Sequence, residues 1–146
     1  FQHKLFFKNN KNKLFIEKID NGSVSKIINK FNDLEYFFFK VDIEGSEYRI
    51  LDELIEHQNL VCGLVIEFHD LDLHLDKIVN FINNFSLPIT HVHANNFGGV
   101  DINNNPRVIE VTFEKNPKAI EGDLLIPNLL DQKNDPTNPD IFLEFI

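Results

Sequence analysis

Two apolar runs, "YFFFKV" at residues 36–41 and "LVCGLVIEF" at residues 60–68, do most to limit what this chain can fold into. Each is short, rich in aromatic or β-branched residues and nearly continuous, which is the pattern of a strand buried on both faces. Between them, "EYRILDELI" sets Tyr48, Leu51, Leu54 and Ile55 on one face of a helix that opens at Gly45 or Ser46. A strand, a helix and a second strand in that order form a crossover rather than a hairpin, so the two strands run parallel. The alternation continues. "DLHLDKIVNFINNF" carries Leu75, Ile78, Val79, Ile82 and Phe85 at helical spacing, "LPITHVHAN" reads as a third strand and "RVIEVTFEK" as a fourth. The fold class is therefore α/β with a largely parallel sheet, helices covering both faces.

The flanks are less constrained. "HKLFFKNNKNKLFIEKI" reads as a hairpin around an Asn/Lys turn, and Ser23 of "DNGS" as the cap of a short helix bearing Val24, Ile27, Ile28 and Phe31 on one face. "NFGGVDINNNP" is a loop, and its Gly98-Gly99 pair lacks the lysine and following helix of a phosphate loop. No repeat or linker divides the chain, so residues 1–146 are expected to form a single domain with an irregular tail at 117–140. A formal charge of -9 disfavours nucleic acid and anionic membranes as partners. No apolar run approaches the roughly 18 residues of a membrane span. Cys62, the single cysteine, allows no internal disulfide and points to a reducing, cytoplasmic compartment. The chain starts at Phe1 and has no methionine, so it is expected to be part of a longer protein.

Polar residues collect where the strands end, and in open α/β sheets ligands bind at the carboxyl ends of the strands. The first strand ends in Asp42 and Glu44, the second in Glu67 and His69, and the third carries His91, His93, Asn95 and Asn96. Residues two apart on a strand share a face, so adjacent parallel strands would gather these groups into one patch. Acids and imidazoles in reach of one another can take up a proton, bind a hydroxylated substrate or hold a divalent cation. A structural role is the competing reading for each. Asp42 could cap a helix, Glu67 could be paired within the sheet, and acids near a helix start suit its dipole. A metal is not favoured, because no spacing here matches an established pattern such as His-Glu-x-x-His.

The stretch "FFFKVDIEGSEYRIL" resembles the motif of the FkbM-type methyltransferases, in which a strand ends in Asp-x-Glu-Gly before a helix. "LVIEFHDLD", "HVHANNFGGV" and "PRVIEVTF" follow in the order of that family's C-terminal half, so the resemblance spans roughly residues 24–115. It implies a Rossmann-like three-layer sandwich with an antiparallel last strand. It also implies S-adenosylmethionine as cofactor and methyl transfer to an oxygen of a small hydroxylated or sugar-like acceptor. On this resemblance Asp42, Glu44 and Gly45 lie by the cofactor, Asp42, Glu67 or His69 serves as base, and His93, Asn95 and Asn96 face the acceptor. The family's Asp/Glu-x-Gly-x-Gly cofactor loop is missing from this chain, whose first 21 residues contain no glycine. Either that loop lies upstream of Phe1, leaving this chain inactive alone and with a sheet edge open to self-association, or the chain is a non-catalytic binding module. A metal-dependent enzyme built on the His/Asp/Glu residues is the remaining alternative.

Overall fold

The two apolar runs become neighbouring parallel strands, β1 (Phe37–Val41) and β2 (Val61–Phe68), with Val41 beside Ile66 and Phe39 beside Leu64. The computed structural model describes residues 15, 17–118 and 126–143. The expected N-terminal hairpin lies almost entirely outside them. Two further strands, β3 (Ile89–Ala94) and β4 (Ile109–Glu114), complete an open four-stranded sheet in the order β1-β2-β4-β3.

That order corrects the expectation of a largely parallel sheet. Only β1 and β2 pair in parallel; β4 runs antiparallel to both β2 and β3 and separates them. The last strand is antiparallel as expected, and it is inserted between β2 and β3. The connection from β3 to β4, residues 95–108, contains no helix and reverses the chain through an isolated bridge between Val100 and Pro106. Without a crossover helix, the chain returns beside the strand it has just left, which makes the pair antiparallel. Because two reversals cancel, β1, β2 and β3 all point the same way, and their carboxyl ends share one edge of the sheet.

Three helices, α1 (Ser23–Lys30), α2 (Leu51–Glu56) and α3 (Leu71–Asn84), enter one core with a single face of the sheet. That face presents Phe39, Val41, Leu64, Ile66, Phe68, Val111 and Phe113. Phe81 of α3 is fully buried, edge-on to Phe68 and Phe113, and Phe85 meets Phe113 in the same way. The inward stripe of α3 is thus Ile78, Phe81, Ile82 and Phe85, while Leu75 and Val79, read from the sequence as core, are exposed. Among the described residues no helix covers the opposite face, so helices on both faces, and the third layer with them, are not present there. No described helix is long and apolar enough to cross a membrane.

Two helix starts differ from the sequence reading. Ser23 is the first residue of α1 rather than its cap, and the residue before it, Gly22, adopts a left-handed backbone. The free N–H groups of that end are satisfied from α2 instead: the Glu53 carboxylate accepts from Gly22 N, Ser25 N and Ser25 Oγ. The helix expected from Gly45 or Ser46 onward is broken into a 3-10 turn, Glu47–Arg49, and the short α2. The turn before it explains the break.

Candidate functional site

The sequence "DIEGSE" leaves β1 through a tight reversal. Ser46 N donates to Ile43 O at 3.2 Å, and both central residues have positive φ, 52° at Glu44 and 88° at Gly45. Glycine takes that conformation without a steric penalty, and two consecutive positive φ values are the mark of a type I′ turn. Glu47 locks the turn. Its side chain is 0 % exposed, and Oε1 accepts from Ile43 N at 3.0 Å and Gly45 N at 3.3 Å. The two positive φ values keep Glu44 and Gly45 out of any helix, and the chain passes through the 3-10 turn before α2 starts at Leu51.

The same oxygen of Glu47 lies 3.0 Å from Nδ1 of His69, just past the end of β2. The other ring nitrogen, Nε2, lies 3.5 Å from the exposed carboxylate of Glu44. Tyr48 completes the lock by donating from its hydroxyl to the His69 carbonyl. Burial, then the charges of Glu47 and Asp70, hold the Tyr48 hydroxyl far above the usual tyrosine range, so it stays a donor. Asp70 follows with φ 52° at the N-cap position of α3, makes no side-chain capping hydrogen bond, and sets one carboxylate oxygen 3.7 Å from where a Cβ on Gly45 would sit.

Asp42, Glu67 and His69 each place one donor atom within 4.8 Å of the other two. Asp42 is exposed, His69 half-buried and Glu67 only 8 % exposed. Burial of the Glu67 carboxylate is offset by Asn95, whose Nδ2 donates to Oε1 at 2.5 Å from the end of β3. Asn95 itself is fixed by accepting from Phe97 N. Three parallel strand ends therefore contribute to one site although β3 does not neighbour β2: the Asn95 side chain reaches past the start of β4.

The other expected residues are distributed differently. His93 sits opposite Glu110, which sits opposite Glu67, so His93 lies two strands, about 10 Å, from the cluster. Its Nε2 is 3.9 Å from Asp140 of the tail. His91 pairs with Asp131 at 2.9 Å. Asn96 is buried against the tail: Nδ2 donates to Asp135 O at 2.8 Å and lies within 3.3 Å of Asn138 O and Pro139 O, and Oδ1 accepts from Asp135 N. The structure gives Asn96 the work of an anchor for the tail, not a place at the lip of the sheet. In the Gly98-Gly99 loop, a Cβ on Gly98 would lie 2.5 Å from the Val108 side chain, so that glycine is needed for close packing rather than for a phosphate.

Sequence reasoning missed two groups. Glu47, one of the acids near the expected helix start, is the buried support of both the turn and His69. Lys40 was read as part of an apolar run; its side chain lies on the uncovered face and reaches Glu110 Oε2 at 2.8 Å. Burial works to lower its pKa, but the hydrogen bond and charge of Glu110, with the charges of Asp42 and Glu67, outweigh that and raise it. The period-2 position of Lys40, out of phase with Phe39 and Val41, was the available signal. No protein-family model matches the chain, and no curated protein or solved structure is significantly similar to it.

Proposed function

We propose that these residues form the C-terminal portion of an S-adenosylmethionine-dependent O-methyltransferase acting on a small hydroxylated or sugar-like acceptor, in a Rossmann-like domain. The observation that carries this reading is the turn at the end of β1. The Asp-Ile-Glu-Gly segment that motivates the resemblance does not become a helix cap; it leaves Asp42 free at the carboxyl edge of the sheet, beside Glu67 and His69. An antiparallel last strand agrees with the same resemblance.

Methyl transfer from a sulfonium to a hydroxyl requires alignment of the two reactants and a group that takes the hydroxyl proton. His69 is suited to the second task. Glu47 accepts from Nδ1–H and fixes the ring, so Nε2, 3.5 Å from the exposed Glu44 carboxylate, is the nitrogen left to take the proton. Asp42 and Glu67 then serve as hydrogen-bond acceptors for the acceptor's hydroxyl groups.

Calorimetric titration of S-adenosylhomocysteine tests this. We expect no measurable binding to residues 1–146 alone, and micromolar binding to a version of the protein extended upstream of Phe1, because this chain has no glycine loop to cradle the cofactor. Absence of binding in both overturns the methyltransferase reading and favours a non-catalytic module. Given binding, His69→Gln should lower the rate of methyl transfer by about 100-fold, the lower end of what general-base catalysis contributes, and Asp42→Asn should lower it less, through weaker binding of the acceptor.

A further inference from the structure

The lip of the sheet holds more negative charge than its protein partners neutralise. Asp42, Glu44, Glu47, Glu67 and Asp70 all lie there, two of them buried. Lys40, whose charge reaches Asp42 and Glu67, is hydrogen-bonded to Glu110. One oxygen of Glu47, Oε2, is buried with no hydrogen-bond partner, next to the oxygen that holds His69. Buried carboxylates persist when a cation or a set of donors compensates them, and here the donors are incomplete.

From these observations, the geometry points to a divalent transition-metal site formed by Asp42, Glu67 and His69. One donor atom from each lies within 4.8 Å of the others, close to the roughly 4.4 Å that two ligands about 2.2 Å from one ion can span, so small side-chain movements bring all three onto an ion. The supporting shell is already built. With Nδ1–H held by Glu47, Nε2 would be the ligand nitrogen, the exposed Glu44 carboxylate now 3.5 Å from it turning aside, in the carboxylate–histidine–metal arrangement that fixes both tautomer and ring orientation. Asn95 occupies Glu67 Oε1 and orients that carboxylate in the same manner. Asp42 is exposed, which gives the ion a route of entry and leaves room for water or a bound hydroxyl in the remaining positions. One imidazole with two carboxylates favours manganese, iron(II), cobalt or zinc over magnesium, which prefers oxygen ligands and keeps its water.

The site stands on these residues alone and does not depend on methyl transfer. His69 cannot be metal ligand and free base in the same molecule, so the metal-loaded and metal-free forms would differ in how they treat a hydroxyl group. The test uses the untagged chain of 146 residues. It is titrated with Mn2+ while the resonance of the free aqua ion is followed, and with Zn2+ and Mg2+ in competition. We expect one Mn2+ per chain, displaced by Zn2+, with Mg2+ at least about tenfold weaker. Asp42→Asn and His69→Gln should each weaken Mn2+ binding by at least about tenfold, since losing even an outer supporting group costs 10–100-fold. The exposed Asp33→Asn serves as the control that leaves binding unchanged. Asp42 is at the surface, so Asp42→Asn remains informative if His69→Gln fails to fold, and circular dichroism establishes which variants are native. No saturable Mn2+ or Zn2+ binding overturns the assignment. So does binding that Asp42→Asn leaves intact, or Mg2+ binding as tight as Mn2+.

Discussion

The two faces of this sheet are built from the same four strands and follow different rules. On one, Leu64, Ile66, Phe68, Val111 and Phe113 are dry beneath three helices. On the other, Glu67, Glu110 and His93 stand in register across β2, β4 and β3, Lys40 reaches across to Glu110, and Phe38 is 64 % exposed. The helix-covered face is held by area removed from water, which has no preferred direction. The polar face is held by directed contacts, several of them supplied by the tail. Stability and chemistry are thereby divided: the covered face fixes where the strand ends lie, and the other side of the sheet leads to the groups that can react.

The largest effect that should separate the faces is on the covered one. Phe81→Ala removes a ring that meets Phe68, Phe85 and Phe113, and is expected to destabilise the protein by about 3–5 kcal/mol, read by urea denaturation. A loss under 1 kcal/mol would mean that the core is not organised around this ring. Glu47→Leu comes next. It fills the same buried space but leaves Ile43 N and Gly45 N without an acceptor, at roughly 1–3 kcal/mol for each stranded donor. Because Glu47 also orients His69, this substitution is the one that should disturb stability and the candidate site together. Metal affinity retained at a wild-type level in Glu47→Leu would separate the turn lock from the site.

Asn96→Ala addresses the polar face at the tail. It removes the amide that meets Asp135, Asn138 and Pro139, and should release residues 126–143 to limited proteolysis while changing global stability by about 1–2 kcal/mol. The tail segment itself stays locally folded around Asp135, whose carboxylate accepts from Thr137 N, Thr137 Oγ1 and Asn138 Nδ2. Protection equal to wild type would show that the contacts of His91 with Asp131 and His93 with Asp140 suffice.

The strands were legible because a run such as "LVCGLVIEF" is apolar over a length only a strand explains, and because "DIEG" can end a strand but not continue one. Asp42, Glu67 and His69 were legible as a group by the same logic: all three sit at the ends of strands that a crossover must make parallel. The place of β4 was not, since which strand it pairs with depends on contacts more than 40 residues apart in sequence, Gly63 with Glu114 among them. Nor was the role of Glu47. An acid two residues past a glycine looks the same whether it faces solvent at a helix start or folds back on its own turn, and only burial distinguishes the two. Asn96 failed for a related reason, because its partners are backbone groups of the tail, and backbone groups carry no sequence signature.

The smallest effect is the most discriminating for the polar face. Lys40 and Glu110 form a half-exposed pair, which contributes under about 1 kcal/mol in comparable settings. Lys40→Met keeps most of the apolar stem and removes the charge, so its cost measures the pair and the field of Asp42 and Glu67 rather than lost packing. Folding raises the Lys40 pKa. A group whose pKa is raised on folding adds stability that is fully present below its unfolded value and is lost as pH rises through the folded one. The difference in stability between wild type and Lys40→Met should therefore be constant near neutrality and close only in strongly alkaline solution, above the ordinary lysine range. Divalent metal bound at Asp42, Glu67 and His69 would compete with Lys40 for the same negative charge, so adding Mn2+ should shrink that difference at neutral pH. If the difference is unchanged by Mn2+, Lys40 answers to Glu110 alone, and the polar face is a set of separate pairs rather than one charged surface.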